Sequence, residues 1–122
     1  MTSENKPREE SLHNGDYYIN QYSCGVISGF TQGKTLEQNE ANTKALISAL
    51  NQKGYRVARM EGFFIETIDT ECSDIISLFV VNQKVSGDDG GQLEQDLIKL
   101  GQLYGQECIM SIREGIPFII KV

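Results

Sequence analysis

Hydrophobic spacing changes period several times along these 122 residues, and that succession constrains the fold more than any single motif does. Residues 17–30, Tyr-Tyr-Ile-Asn-Gln-Tyr-Ser-Cys-Gly-Val-Ile-Ser-Gly-Phe, are rich in aromatic and β-branched side chains, which suit a pleated, half-buried surface. They predict a first strand. Gly25 and Gly29 inside it mark a bulge or a close approach by another backbone or a ligand.

The period then lengthens. Thr35-Leu36-Glu37-Gln38 has the capping-box form, with a hydroxyl and a carboxamide serving each other's backbone N–H groups, and predicts a helix start. Leu36, Thr43, Leu46, Ile47 and Leu50 follow at spacings of three and four, and Gly54 supplies a left-handed stop. Residues 55–65 read as a second strand. Residues 75–82, a near-continuous apolar run, read as a buried third. Turn chemistry from Val85 to Gly91 leads to a second helix that starts near Gln92, with Leu93, Leu97, Leu100 and Tyr104 on one face and Gly105 as its stop. Residues 107–113 and 116–122 form two short strands joined by Glu114-Gly115, a hairpin signal.

The order strand, helix, strand, strand, helix, strand, strand is that of an α+β, ferredoxin-like split βαβ fold with an added C-terminal strand. Two helices should cover one face of a mainly antiparallel sheet. Residues 1–15 contain Leu12 as the one large aliphatic side chain after the initiator, and are expected to be a mobile N-terminal tail before a single domain over 16–122. The added strand would leave a sheet edge, so a homodimer formed across it is a further expectation.

Composition narrows the function. Seventeen acidic against eleven basic residues give a net charge of −6, the wrong sign for gripping a phosphate backbone, so direct nucleic-acid binding is not expected. The acidity either serves solubility or attracts a basic surface on a partner. No stretch is long and apolar enough for a membrane span, and residues 1–16 are polar and acidic where a signal peptide would be basic and then apolar. Cytoplasmic residence without membrane contact is the expectation. Cys24, Cys72 and Cys108 show neither metal spacing nor a Cys-x-x-Cys pair, and read as reduced thiols.

Four motifs bear on chemistry. Gly29-Phe30-Thr31-Gln32-Gly33-Lys34-Thr35 lies between a strand and a helix as a phosphate loop would, but Ser28 stands where the first glycine is needed, which argues against nucleotide hydrolysis. An anion could still sit at the helix start near Lys34 and Thr35. Glu61, Glu66, Asp69, Glu71 and Asp74 cluster in sequence without the spacing of a calcium loop, and read as an acidic rim. The sole histidine, His13, falls in the tail, which disfavours Cys-His and Ser-His catalysis. Asn39 and Asn42 put polar groups at the start of a core-facing stripe. Such groups need partners, for which Glu61 and Gln106 are candidates, either in a structural network or on a pocket floor.

The helix Asn39-Glu40-Ala41-Asn42 with Leu46, Leu50, Gly54 and Tyr55, the Glu61-Gly62 step, Ser77-Leu78-Phe79-Val80-Val81, and Leu100-Gly101-Gln102-Leu103-Tyr104-Gly105-Gln106-Glu107 together resemble an uncharacterised group of small bacterial and phage-encoded α/β proteins. The resemblance implies an accessory protein of a phage or mobile element and transfers no catalytic residue.

The resulting expectation is a non-enzymatic protein with no cofactor and no metal, which binds and inhibits a host defence or regulatory factor, a counter-defence role. Phe63, Phe64, Glu66, Asp69, Glu71 and Asp74 are its candidate protein-binding residues, because aromatic side chains dominate interface energetics. The alternative is a small-molecule-binding domain holding an anionic metabolite or signalling nucleotide near residues 25–35, through Gly29, Gly33, Lys34, Thr35, Asn39 and Asn42.

Overall fold

The computed structural model describes residues 15–31, 33–60 and 77–122. Its elements, in chain order, are α1 (Gly15–Gln21), β1 (Ser23–Ile27), α2 (Leu36–Gln52), β2 (Arg56–Met60), β3 (Ser77–Asn82), α3 (Gln92–Leu103), β4 (Cys108–Arg113) and β5 (Ile116–Lys121). The strands form one sheet in the order β2-β3-β1-β4-β5, and every pairing between them is antiparallel. The first four strands have the split βαβ arrangement, and β5 extends the sheet beyond β4 as the expected extra strand.

Alternation along the strands divides the core in two. Ile27, Val57, Leu78, Val80 and Ile109 face α2 and α3, where Leu46, Leu50, Leu93, Leu97 and Leu100 meet them. Each such side chain, fully buried, contributes about 1.5–3 kcal/mol. Cys24, Val26, Phe79, Val81, Met110 and Ile112 occupy the other face, with Tyr18 and Ile19 of α1, and Tyr22 just after it, packed against them.

That second cluster corrects the reading of residues 17–30 as one strand. The segment splits into helix α1 and the shorter strand β1. Tyr18 and Tyr22, one helical turn apart with ring centroids separated by 6.4 Å, cover the sheet face together, so tertiary burial overrides the β preference of the aromatic residues. Seven residues would not hold a helix in water without that packing. Residues 61–65 and 75–76, assigned above to strands, lie outside the described residues, as does the tail 1–14.

Gly25 and Gly29 are close-approach positions, and what approaches is the protein itself. A Cβ on Gly25 would lie 2.3 Å from Leu97 Cδ1 and 2.8 Å from the Met110 carbonyl oxygen. One on Gly29 would lie 3.0 Å from the Thr43 backbone nitrogen. These glycines let α3 sit low on β1 and let the chain leaving β1 press against α2. The β4–β5 turn is Glu114-Gly115 as expected, with φ of 52° and 81°, the left-handed pair that a two-residue hairpin uses. At the sheet edge, β5 exposes Ile116 (56%) and Phe118 (41%). It also carries Pro117 and Lys121, which oppose addition of a further strand.

The cysteines depart from the reading as three reduced thiols: Cys24 is free and buried, whereas Cys108 is disulfide-bonded. Burial alone pushes the Cys24 thiol up to about 12, so it is inert near neutral pH. Among the described residues, no helix is long and apolar enough to cross a membrane.

Candidate functional site

Polar groups gather at both ends of the sheet. At the end where β1 runs into α2, the Asn39 carboxamide holds both the N–H and the carbonyl of one residue, Thr31. Its Oδ1 accepts the Thr31 N–H at 2.9 Å, and its Nδ2 donates to the Thr31 carbonyl at 3.4 Å. Gln106 Nε2 donates to the Phe30 carbonyl at 2.8 Å, and the Thr31 hydroxyl donates to the Tyr104 carbonyl at 3.4 Å. Asn39 and Gln106 thus meet the same short segment rather than each other. Their network pins residues 30–31 between the start of α2 and the end of α3.

The helix start next to it is capped by its own residues. Thr35 Oγ1 accepts the Gln38 N–H and Gln38 Oε1 accepts the Thr35 N–H, both at 3.0 Å, closing the capping box. The Lys34 N–H donates to the Thr31 carbonyl at 3.4 Å. These are the N–H groups that an anion would have used. Of the six residues assigned above to a ligand, Gly29 and Asn39 are buried in the packing described, Asn42 is half-buried, and Gly33, Lys34 and Thr35 are exposed. Phe63, Phe64, Glu66, Asp69, Glu71 and Asp74 lie outside the described residues; they belong to the connection between β2 and β3, whose flanking residues Met60 and Ser77 pair with each other.

Ser77 stands at the same end of the sheet, on the face away from α2 and α3. Alternation places it there: Leu78 and Val80 face the helices, while Phe79 and Val81 face away. It is 1% exposed, and its hydroxyl has no hydrogen-bond partner. Buried hydroxyls are normally paired.

The opposite end carries a cluster that the spacing argument did not single out. Tyr55 (2% exposed) donates its hydroxyl to Asp96 Oδ2 at 2.5 Å, and Gln92 Nε2 reaches the same oxygen at 3.2 Å. Lys53 Nζ lies 4.0 Å from Asp96 Oδ1, and Lys84 Nζ sits 4.7 Å from the centre of the Tyr55 ring. Burial first, and then the carboxylate beside it, pushes the Tyr55 hydroxyl well above its ordinary range, so it remains a proton donor. A signal was present: Asp96 follows Leu93 by three and precedes Leu97, so a carboxylate stands in the apolar stripe. A cleft of about 100 Å³ between α1, β1 and the β4–β5 turn, rimmed by Asp88 and Glu114, is small beside the several hundred Å³ that ligand pockets occupy. Among the described residues, no group of His, Cys, Asp and Glu is arranged to hold a metal ion.

The described chain is thus a ferredoxin-like α+β domain with internally bonded polar clusters at both sheet ends. It belongs to the S-adenosylmethionine lyase family, whose model matches residues 25–115. No curated protein and no solved structure matches it.

Membership in a family of lyases corrects the functional expectations. It overturns the reading of a non-enzymatic host-factor inhibitor with a counter-defence role. It equally overturns the alternative of a binding domain without catalysis. Many enzymes rely on a positioned histidine, a metal set or a complete phosphate loop. A sulfonium substrate needs none of them to supply its leaving group, because the departing sulfur already carries the charge.

Proposed function

We propose that this chain cleaves S-adenosylmethionine in a lyase reaction. The observation that carries the reading is the family match across residues 25–115, a span that runs from within β1 to the end of β4 and takes in α2 and α3. In such a reaction one C–S bond breaks and its electron pair goes to sulfur, giving a neutral thioether. The carbon left behind is satisfied from within the substrate, by loss of a neighbouring proton or by attack of the substrate's own carboxylate, so no water is consumed.

A protein assists this by shielding the centre from water, holding the flexible chain in line and matching charge while the sulfonium is bound. S-adenosylmethionine carries an ammonium and a sulfonium against one carboxylate near neutral pH. The acidic balance that disfavours phosphate has the right sign for this substrate. Phe63, Phe64, Glu66, Asp69, Glu71 and Asp74 lie within the matched span. We assign them to the substrate rather than to a partner protein: aromatic faces and carboxylates are the groups that stabilise a bound cation.

The test is incubation of the pure protein with S-adenosylmethionine, followed by chromatography and mass spectrometry. The expected products are a thioether and a second fragment whose masses add up to that of the substrate. A second fragment heavier by one water would indicate hydrolysis, and undiminished substrate would refute the activity. Neutralising the four carboxylates one at a time (Glu66→Gln, Asp69→Asn, Glu71→Gln, Asp74→Asn) should lower kcat/KM at least tenfold for one or more of them, about the loss expected for one charge-assisted contact.

A further inference from the structure

We propose that the Ser77 hydroxyl is a contact for the nucleoside half of the substrate, an inference that rests on the lyase reading above. The starting point is an accounting failure. Among the buried polar side chains of the same sheet end, Asn39, Thr43 and Gln106 each make a hydrogen bond within the protein. Ser28 Oγ accepts the Phe30 N–H at 3.0 Å. Ser77 makes none, and at 1% exposure bulk water does not satisfy it either. An unmade hydrogen bond of this kind destabilises the folded chain. The free energy is recovered when a ligand supplies the missing partner.

Position favours a ligand over an accident of packing. Ser77 opens β3 and pairs with Met60, the last residue of β2. The β1–β3 register ends with Ile27 opposite Leu78, so the buried residues Ser28 and Ser77 stand where the two central strands meet their connections.

The surroundings select the ligand's chemistry. On the same face, Phe79, Val26 and Met110 are buried apolar side chains, and Ala58 pairs with Phe79. A sulfonium, ammonium or carboxylate placed against these described side chains would lose its hydration for apolar contact, at high cost. A neutral adenine or ribose needs only apolar contact and one group that can both donate and accept. A buried hydroxyl is reached only when the face opens locally, so the contact forms in a step that follows encounter.

Ser77→Ala tests this in two readouts. Without ligand, deletion of an unpaired hydroxyl should leave the melting temperature unchanged or raise it. With ligand, calorimetric binding of adenosine and of S-adenosylhomocysteine should weaken by about tenfold, and the KM for S-adenosylmethionine should rise by a similar factor with kcat little changed. Ser77→Thr, which keeps the hydroxyl, should restore part of the affinity. A lower melting temperature together with unchanged nucleoside binding would make Ser77 structural and overturn the proposal. The wild-type protein separates the two failures: if it neither binds nor consumes S-adenosylmethionine, the lyase reading itself falls, whereas normal wild-type turnover with an unaffected Ser77→Ala variant removes only the serine contact.

Discussion

Asp89 caps α3 from outside the helix. The N-cap position is Gly91, with φ of 86° and no side chain to offer, so the first-turn N–H groups turn to a carboxylate two residues earlier. Asp89 Oδ1 accepts from Gly91 and Gln92 at 3.0 and 3.1 Å, and Oδ2 accepts from Leu93 at 3.0 Å and from Asn82 Nδ2 at 2.7 Å. Burial pushes this carboxyl up, but the donors around it outweigh burial and hold it below its ordinary value. Glu94 is held low as well, first by its paired bonds to Arg113 at 2.8 Å. A carboxylate whose folded pKa is depressed stabilises the fold above its unfolded pKa, and that contribution is lost as pH falls through the folded value. The urea midpoint should therefore be flat from pH 7 down to about 5 and drop below about 4. Asp89→Asn should cost about 1–2 kcal/mol at pH 7, the range for loss of a helix cap, and should flatten the acid limb. An acid limb of unchanged steepness would show that other groups carry it.

At the scale of elements, the distance between α3 and the sheet is set by glycine. Gly25→Ala would drive a methyl group into Leu97 Cδ1 and the Met110 carbonyl, 2.3 and 2.8 Å away. The side chain can turn aside; the carbonyl belongs to β4 and cannot move without straining the pairing of Val26 with Met110. We expect a loss of about 1–3 kcal/mol, read as a lower urea midpoint at unchanged slope. A neutral substitution would mean that α3 floats on the sheet. These contacts also show where a sequence is readable. The capping box of α2, the start of α3 at Gln92 and the Glu114-Gly115 turn were legible because local groups satisfy local backbone needs. Helix α1 was not, since Tyr18 and Ile19 become helical to cover a distant sheet face. Gly25 and Gly29 announced a close approach but not which element would approach. Nor could spacing foresee that Asn39 and Gln106 would converge on residues 30–31 from two helices.

For the whole molecule, the net charge of −6 is opposite in sign to the one excess positive charge of the proposed substrate. Salt screens that attraction over about 8 Å at physiological ionic strength. The KM for S-adenosylmethionine should therefore rise by about two- to threefold between low salt and about 0.5 M, with kcat nearly constant. A KM that falls with salt, or a kcat that falls in step, would place the charge effect elsewhere. Chemical function was the least legible property, for a physical reason: a sulfonium substrate of the proposed kind brings its own leaving group and does not call for the histidine or metal constellations by which catalysis is usually recognised. The topology also has a bearing on biosynthesis. The central strand β1 is bonded to β3 on one side and to β4 on the other, and both follow it by a long stretch of chain. During translation β1 therefore leaves the ribosome with neither neighbour made, and its apolar residues stay unprotected until β4 has emerged, an interval in which a chaperone that shields short hydrophobic segments should raise the yield of folded protein.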